Sequence, residues 1–358
     1  MTKADCYETV TTIKHNVIIF AILSTLCGWT GYVVDKVTGQ AHYENIGTEI
    51  GSGSLGMLIW LLTPLICTIF LRSLGGDGCK EAGFSINFKN NKTLYLVSFL
   101  VYLLVTMIVR FLGLVAQGIR VTDVKVELMV YLGILLTQIG AQFIKNIFEE
   151  SVWRAYLTNQ LIKLKLSDLK LYLLVGFIWW IWHLPYIMEF LSEREIQNTL
   201  PVGKFTFFLI GMITVACWTV MYTEIFRITK SVWPLVIMHT MEDAVINPLR
   251  LLGFVSVEKN QAFLFSLSVV MIPTILYLTV SLAIRKWRKN RSMERRANRV
   301  TKDDNVDLFF YLIEVKGYQK SVKMEKVDIS MSYVLIFCTF SSFYICKCQK
   351  KVYNGLVN

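Results

Sequence analysis

The sequence predicts an all-α, polytopic membrane protein of about eight transmembrane helices around a membrane-embedded polar cavity, and three observations carry that reading. Hydrophobic residues fill 54% of the 358 positions, and 13% of positions are aromatic. Mean hydropathy is +0.50, too apolar for an ordinary soluble domain. Apolar runs of spanning length also recur along the chain, each near the roughly 20 residues a helix needs to cross a bilayer at about 1.5 Å per residue.

The runs fall near residues 17–34, 54–71, 94–116, 128–150, 171–190, 205–226, 232–252 and 262–284. The first follows Lys3, Asp5 and Glu8, and no small-residue cleavage pattern comes after it. It therefore reads as an uncleaved span rather than a signal peptide. Between the second and third runs, Gly75 to Asn91 (GGDGCKEAGFSINFKNN) is rich in Gly and Asn, which predicts a turn with one short helical piece.

Alternate connections are basic. Arg72, Lys80, Lys89 and Lys92 mark one; Arg154, Lys163, Lys165 and Lys170 the next; then Arg227 and Lys230; then the cluster from Arg285 to Arg299. The positive-inside rule places these in the cytoplasm, so the N-terminus and the end of the eighth helix are expected there, in a multi-pass protein of the cell membrane. The run RKWRKNRSMERRANR at 285–299 reads as a basic helix end that anchors this topology. Residues 1–299 thus form one multi-pass domain with a motif core at about 143–247, and 300–358 a peripheral or poorly ordered tail with a short apolar run from Tyr333 to Cys346.

The net charge of +11 does not point to nucleic acid, because the basic residues are spaced between apolar runs and gather after Ser281. Membrane lipids are the expected partner. The eight cysteines are scattered, several inside apolar runs, with no CxxC pair, which reads as buried thiols rather than a zinc site or a disulfide framework.

Within the apolar runs lie groups that lipid penalises. Glu149 and Glu150 adjoin, with Arg154 four positions beyond Glu150; His183 closes Trp179-Trp180-Ile181-Trp182-His183; His239 and Asp243 sit four apart. Each ionisable side chain costs at least a few kcal/mol in the bilayer, so the set is a functional-site candidate. Spacing of four puts Trp179 and His183 on one helix face, and His239 and Asp243 on another. Counting about 1.5 Å per residue from the basic boundaries puts Glu149 and His183 roughly 20 Å deep and His239 roughly 14 Å deep, one broad layer. A carboxylate base, imidazoles for proton transfer and groups for a developing oxyanion are the parts of a hydrolytic site.

The EExxxR stretch, the WxxxH segment ending in HLP and the HxxxD of SVWPLVIMHTMED, in that order, resemble the CAAX prenyl protease and bacteriocin-processing (CPBP, or Abi) family of intramembrane endopeptidases. The resemblance is strongest from about Phe143 to Asn247. It implies that Glu149 activates water for attack on a peptide bond with help from His183, that His239 and Asp243 face the oxyanion, and that Arg154 holds the carboxylates. Glu150 would be a supporting acid or the partner of Arg154. The substrate would be a hydrophobic or lipid-anchored peptide, in bacteriocin maturation or self-immunity or in CAAX-type processing.

Two positions depart from the pattern. Trp179 stands where the family usually has Phe, and Asp243 where many members have Asn. An ionised Asp cannot donate to an oxyanion, so Asp243 either stays protonated or orients His239. A metal-free glutamate mechanism with no cofactor is favoured over zinc held by Glu149, His183 and His239, since no HExxH helix is present. Two other classes stay open: a transporter using Glu149, Glu150 and His183 as a proton or ion relay, and a non-catalytic immunity or scaffold protein.

Overall fold

A computed structural model describes residues 3–41, 43, 53–79, 81–115, 119–121, 124–193, 196–197, 200–246, 255–257 and 262–300. The expected tail and its apolar run at 333–346 lie outside the described residues, as do the ends of several connections. The described residues of each predicted apolar run fall largely on helices. In chain order these are α1 (Lys3–Thr38), α2 (Leu55–Ser73), α3 (Lys92–Val115), α4 (Val124–Glu150), the short α5 (Asn159–Lys163), α6 (Asp168–Trp182), α7 (Lys204–Thr229), α8 (Trp233–Thr240) and α9 (Ala262–Val300).

Among the described residues, six stretches are long and apolar enough to cross a membrane: Val10–Thr38, Leu55–Ser73, Lys92–Leu112, Asp168–Phe190, Lys204–Thr229 and Val270–Glu294. The protein is therefore an all-α, multi-pass membrane protein. The described parts of the other two predicted spans are helical as well, and they include α4 and α8, which carry the buried Glu149, Glu150 and His239. A two-stranded antiparallel ribbon, absent from the sequence reading, pairs Ile119–Val121 with Val255–Val257 in the register Ile119↔Val257.

Among the described residues three helices change winding within or just after a motif, so that Arg154 and Asp243 themselves lie on π-helical turns. Ser151–Thr158 is π-helical and joins α4 to α5; Tyr186–Phe190 is π-helical after α6; Met241–Ile246 is π-helical after α8. In the first of these, Thr158 Oγ1 donates to the Trp153 carbonyl five residues back at 2.7 Å, the spacing of a π turn.

Two apolar clusters form the interior. One unites α1, α2, the first π segment and α6 through Phe20, Trp60, Trp153, Tyr156, Trp179 and Trp182. The other unites α3, α7, α8 and α9, with Tyr102, Tyr222, Ile225 and Met238 at its centre. Close approach of α1 and α2 depends on glycine: a Cβ on Gly31 would meet the Gly56 carbonyl oxygen at 2.3 Å, and one on Gly56 the Gly31 oxygen at 2.2 Å. Asp35 of α1 caps α2, its Oδ1 accepting from the Gly56 N–H at 2.7 Å.

Several of the basic helix ends are tied to protein groups. Arg72 donates to the carbonyls of Gly78 and Ala155 at 2.8 and 2.7 Å. Asp168 and the buried Glu224 are gripped by Arg227, Arg285 and Arg288, so part of the basic cluster expected to act as a topology anchor is a set of internal counter-ions. The segment Gly75–Asn91 does contain one short helical piece, the 3-10 turn Phe88–Asn90, and it is bonded to the core. Tyr156 donates to Asp77 at 2.8 Å, Asn159 to Glu81 at 3.0 Å, and Trp233 Nε1 to the Phe84 carbonyl at 2.7 Å.

Candidate active site

The site lies along the seam of the two clusters, and Arg154 marks it. Its guanidinium is fully buried between the rings of Trp179, from the first cluster, and Tyr222, from the second, at 3.9 and 4.2 Å from their centroids. From that slot it reaches back one turn to Glu150, with Nε at 3.3 Å from Oε2 and Nη1 at 3.4 Å from Oε1. Glu150 is fully buried too, and its Oε1 accepts from His239 Nδ1 at 2.9 Å. The second glutamate of the pair therefore ties α4 to α8.

Glu149 has different company. Its Oε1 is 3.2 Å from Lys145 Nζ, one turn earlier on α4, and its Oε2 is buried with no hydrogen-bond partner among the described residues. The same Lys145 Nζ lies 2.8 Å from Asp243 Oδ2, across on the π segment that follows α8. Asn146 Nδ2 also donates to that oxygen at 3.0 Å, while His239 Nε2 stands 3.6 Å from it. Arg154 thus serves Glu150, and Lys145 is the cation of Glu149 and Asp243.

His183 caps the C-terminal end of α6. Its Nδ1 is 2.9 Å from the Trp179 carbonyl, which can only accept, so Nδ1 carries the proton and Nε2 is left with its lone pair in the neutral ring. The end of α6 is held by a reciprocal pair: Trp60 Nε1 donates to the Trp182 carbonyl at 2.9 Å, Trp182 Nε1 to the Trp60 carbonyl at 3.3 Å, and their rings stack at 4.1 Å. Trp179 stands between the two histidines, its ring 5.9 Å from that of His183 and 6.0 Å from that of His239.

All six residues singled out in the sequence lie on α4 and its π continuation, the end of α6, and α8 and its π continuation, and contacts link these elements. Lys145, Asn146 and Tyr222 were not singled out. Lys145 had a readable signal, a cation inside an apolar run four positions before Glu149. Tyr222 had none, because an aromatic in an apolar helix reads as packing.

For a metal, His239, Glu242 and Asp243 can each offer a ligand atom, all within 4.8 Å of one another. This trio differs from the zinc set of Glu149, His183 and His239 considered from sequence. Its Asp243 oxygen already faces an ammonium at 2.8 Å, a poor neighbour for a divalent cation. The donors in hand therefore suit hydrogen bonding better than metal ligation.

Residues 131–245 match the model of a protein family described as type II CAAX prenyl endopeptidase Rce1-like. The matched stretch contains Glu149, Glu150, Arg154, His183, His239 and Asp243, together with Lys145. No curated protein matches the chain.

Proposed function

We propose that the protein is an intramembrane endopeptidase in which Glu149 activates water without a metal, a reading supported by the match of residues 131–245 to the Rce1-like family model. The observation that carries the assignment of the base is the unequal environment of the two glutamates. Neither glutamate has a hydrogen bond at Oε2 among the described residues, but Glu150 Oε2 faces the buried Arg154 guanidinium at 3.3 Å and its Oε1 accepts from His239, whereas Glu149 Oε2 has no cation within ion-pair distance. A free carboxylate oxygen can take a proton from water; one locked in a buried ion pair cannot do so without breaking the pair.

In this reading water attacks the carbonyl carbon, its proton passes to Glu149 Oε2, and the carbonyl π pair moves to oxygen. Collapse re-forms the carbonyl, breaks the C–N bond and returns the Glu149 proton to the departing amine. His183, with Nε2 bare and Nδ1 fixed on the Trp179 carbonyl, is placed to accept a hydrogen bond from the same water. Arg154 and Glu150 hold His239 in orientation rather than touching substrate.

The substrate class is a hydrophobic or lipid-anchored peptide. CAAX-type processing of a prenylated tail and maturation of, or immunity to, a bacteriocin both present such a chain. Purified protein in lipid nanodiscs should cleave a farnesylated CAAX peptide or a hydrophobic leader peptide, and the two substrates separate the two roles. Glu149→Ala should abolish cleavage, and a chelator should leave wild-type turnover unchanged. Turnover by Glu149→Ala equal to wild type would end the glutamate mechanism, and loss on chelation with recovery on zinc would end the metal-free one.

A further inference from the structure

We propose that Lys145 is a catalytic residue of this site: its ammonium, spanning Glu149 and Asp243, donates to the oxyanion that forms when the peptide carbonyl is attacked. The inference rests on the hydrolytic reading above and assigns a group to the step that an ionised Asp243 cannot perform.

Position comes first. Lys145 Nζ is 3.2 Å from Glu149 Oε1 and 2.8 Å from Asp243 Oδ2, so it sits between the proposed base and the third motif, on the line where nucleophile and carbonyl must meet. Its side chain is 29% exposed while that of Glu149 is 3% exposed, so the lysine side chain, rather than the carboxylate, reaches the accessible side of the pair. Stoichiometry follows. An ammonium has three N–H bonds, and the two carboxylates account for two of them. The third is the donor that remains for a carbonyl oxygen.

Asp243 then acquires a role that neither protonation nor orientation of His239 requires. Its Oδ2 takes Lys145 at 2.8 Å and Asn146 Nδ2 at 3.0 Å, against 3.6 Å to His239 Nε2. The acid fixes the ammonium, and Asn146 fixes the acid. A positioned cation is worth most where charge develops in a water-poor site, because the donor is already oriented when the oxyanion appears. In the balance of the reaction Lys145 gives up no proton: it stabilises the oxygen while the C–O bond forms and releases it when the C–N bond breaks.

The test compares wild type, Lys145→Met, Lys145→Arg and the double variant Lys145→Met/Asp243→Asn in nanodiscs, with Glu149→Ala as the blank. Lys145→Met should lower kcat by about 10²- to 10³-fold, the usual cost of one oxyanion donor, with KM within a few-fold. A peptidyl phosphonate, whose anionic oxygen imitates the oxyanion, should lose affinity by a similar factor, whereas the uncleaved parent peptide should bind Glu149→Ala and Glu149→Ala/Lys145→Met alike. The double variant, which removes the stranded carboxylate and supplies an amide N–H, should regain at least about tenfold of the lost kcat. Lys145→Arg should fall between wild type and Lys145→Met.

A Lys145→Met enzyme with kcat within about threefold of wild type overturns the proposal. So does a double variant as slow as the single one, or a phosphonate affinity that does not change. Should Lys145→Met fail to fold, the double variant and Lys145→Arg carry the same comparison. Equal turnover by wild type and Glu149→Ala overturns the glutamate mechanism, and this proposal with it, whereas the results above overturn this one alone.

Discussion

Replacing Arg154 by Met puts the seam of the fold under a direct load. The guanidinium is fully buried, pairs with a fully buried Glu150 at 3.3 Å, and is sandwiched between Trp179 and Tyr222. Removing one member of a buried ion pair typically costs 3–5 kcal/mol because the other charge is stranded, so about 3–5 kcal/mol is the starting figure. Losing a desolvated cation–π contact adds up to about 2 kcal/mol, while the methionine recovers part of the packing. His239, still 2.9 Å from Glu150, softens the loss, which sets the expectation near the lower end, about 3 kcal/mol. Arg154→Lys keeps the charge but not the flat fork between the rings, and should cost about 1–2 kcal/mol. The double variant Glu150→Gln/Arg154→Met removes the stranded charge and should be more stable than Arg154→Met by about 2 kcal/mol. The assay is equilibrium unfolding in mixed micelles followed by near-ultraviolet circular dichroism. An Arg154→Met protein within about 1 kcal/mol of wild type, or a double variant no more stable than the single, would refute this account of the pair.

Other perturbations follow from the same packing. Gly31→Ala places a methyl 2.3 Å from the Gly56 oxygen, so α1 and α2 must part, at a cost of about 1–3 kcal/mol in the same unfolding assay; Gly53→Ala, with nothing within 4 Å, should change stability little. Trp179→Ala removes one wall of the Arg154 slot and should cost about 3–5 kcal/mol. Trp179→Phe keeps a ring there and also deletes an indole N–H that has no hydrogen-bond partner among the described residues, so it should stay within about 1 kcal/mol of wild type and retain cleavage. Outside the spans, the hydrogen bond from Asn159, opposed in part by burial and aided by Lys163, holds the Glu81 carboxyl below its usual range. A lowered folded-state value means stabilisation present above the ordinary glutamate range and lost as pH falls through and below it. Unfolding curves of wild type and Glu81→Gln should accordingly differ slightly at pH 7 and converge in acid, the difference being small because the Glu81 side chain is 62% exposed.

How much of this could be read from the chain differs from feature to feature. The apolar runs were legible because a bilayer tolerates little else, and the groups Glu149-Glu150, His183 and His239-Asp243 stood out against them for the same reason. A common depth for the three followed from counting rise per residue. Which carboxylate pairs with which cation did not follow. Arg154 is five positions from Glu149 and four from Glu150, so helical spacing favoured Glu150 but could not reveal that His239 shares it. Lys145 was visible as a cation one turn before Glu149, yet its bond to Asp243 spans two helices whose mutual rotation no local periodicity encodes. The ribbon joining Ile119–Val121 to Val255–Val257 was hidden for a similar reason: three-residue strands carry too little alternation to register.

The three π-helical segments begin within or just past the motifs, after Glu150, shortly after His183 and after Thr240. Each is, in effect, a register insertion: one residue more than an α-helix would use, swallowed without a loop. Removing one residue from such a segment would rewind it as α-helix and, because the wider turn is what had absorbed the extra residue, leave the helix beyond it close to its present direction. For the stretch 151–158 the change would fall on the segment itself, which carries Arg154 between Trp179 and Tyr222, while Glu149 and Glu150 stay where they are. Length variation in this protein should therefore be confined to its connections, and a one-residue deletion inside a π segment should be more damaging than most substitutions at the same position. An alignment gap falling there would signal a rewound turn rather than a trimmed loop.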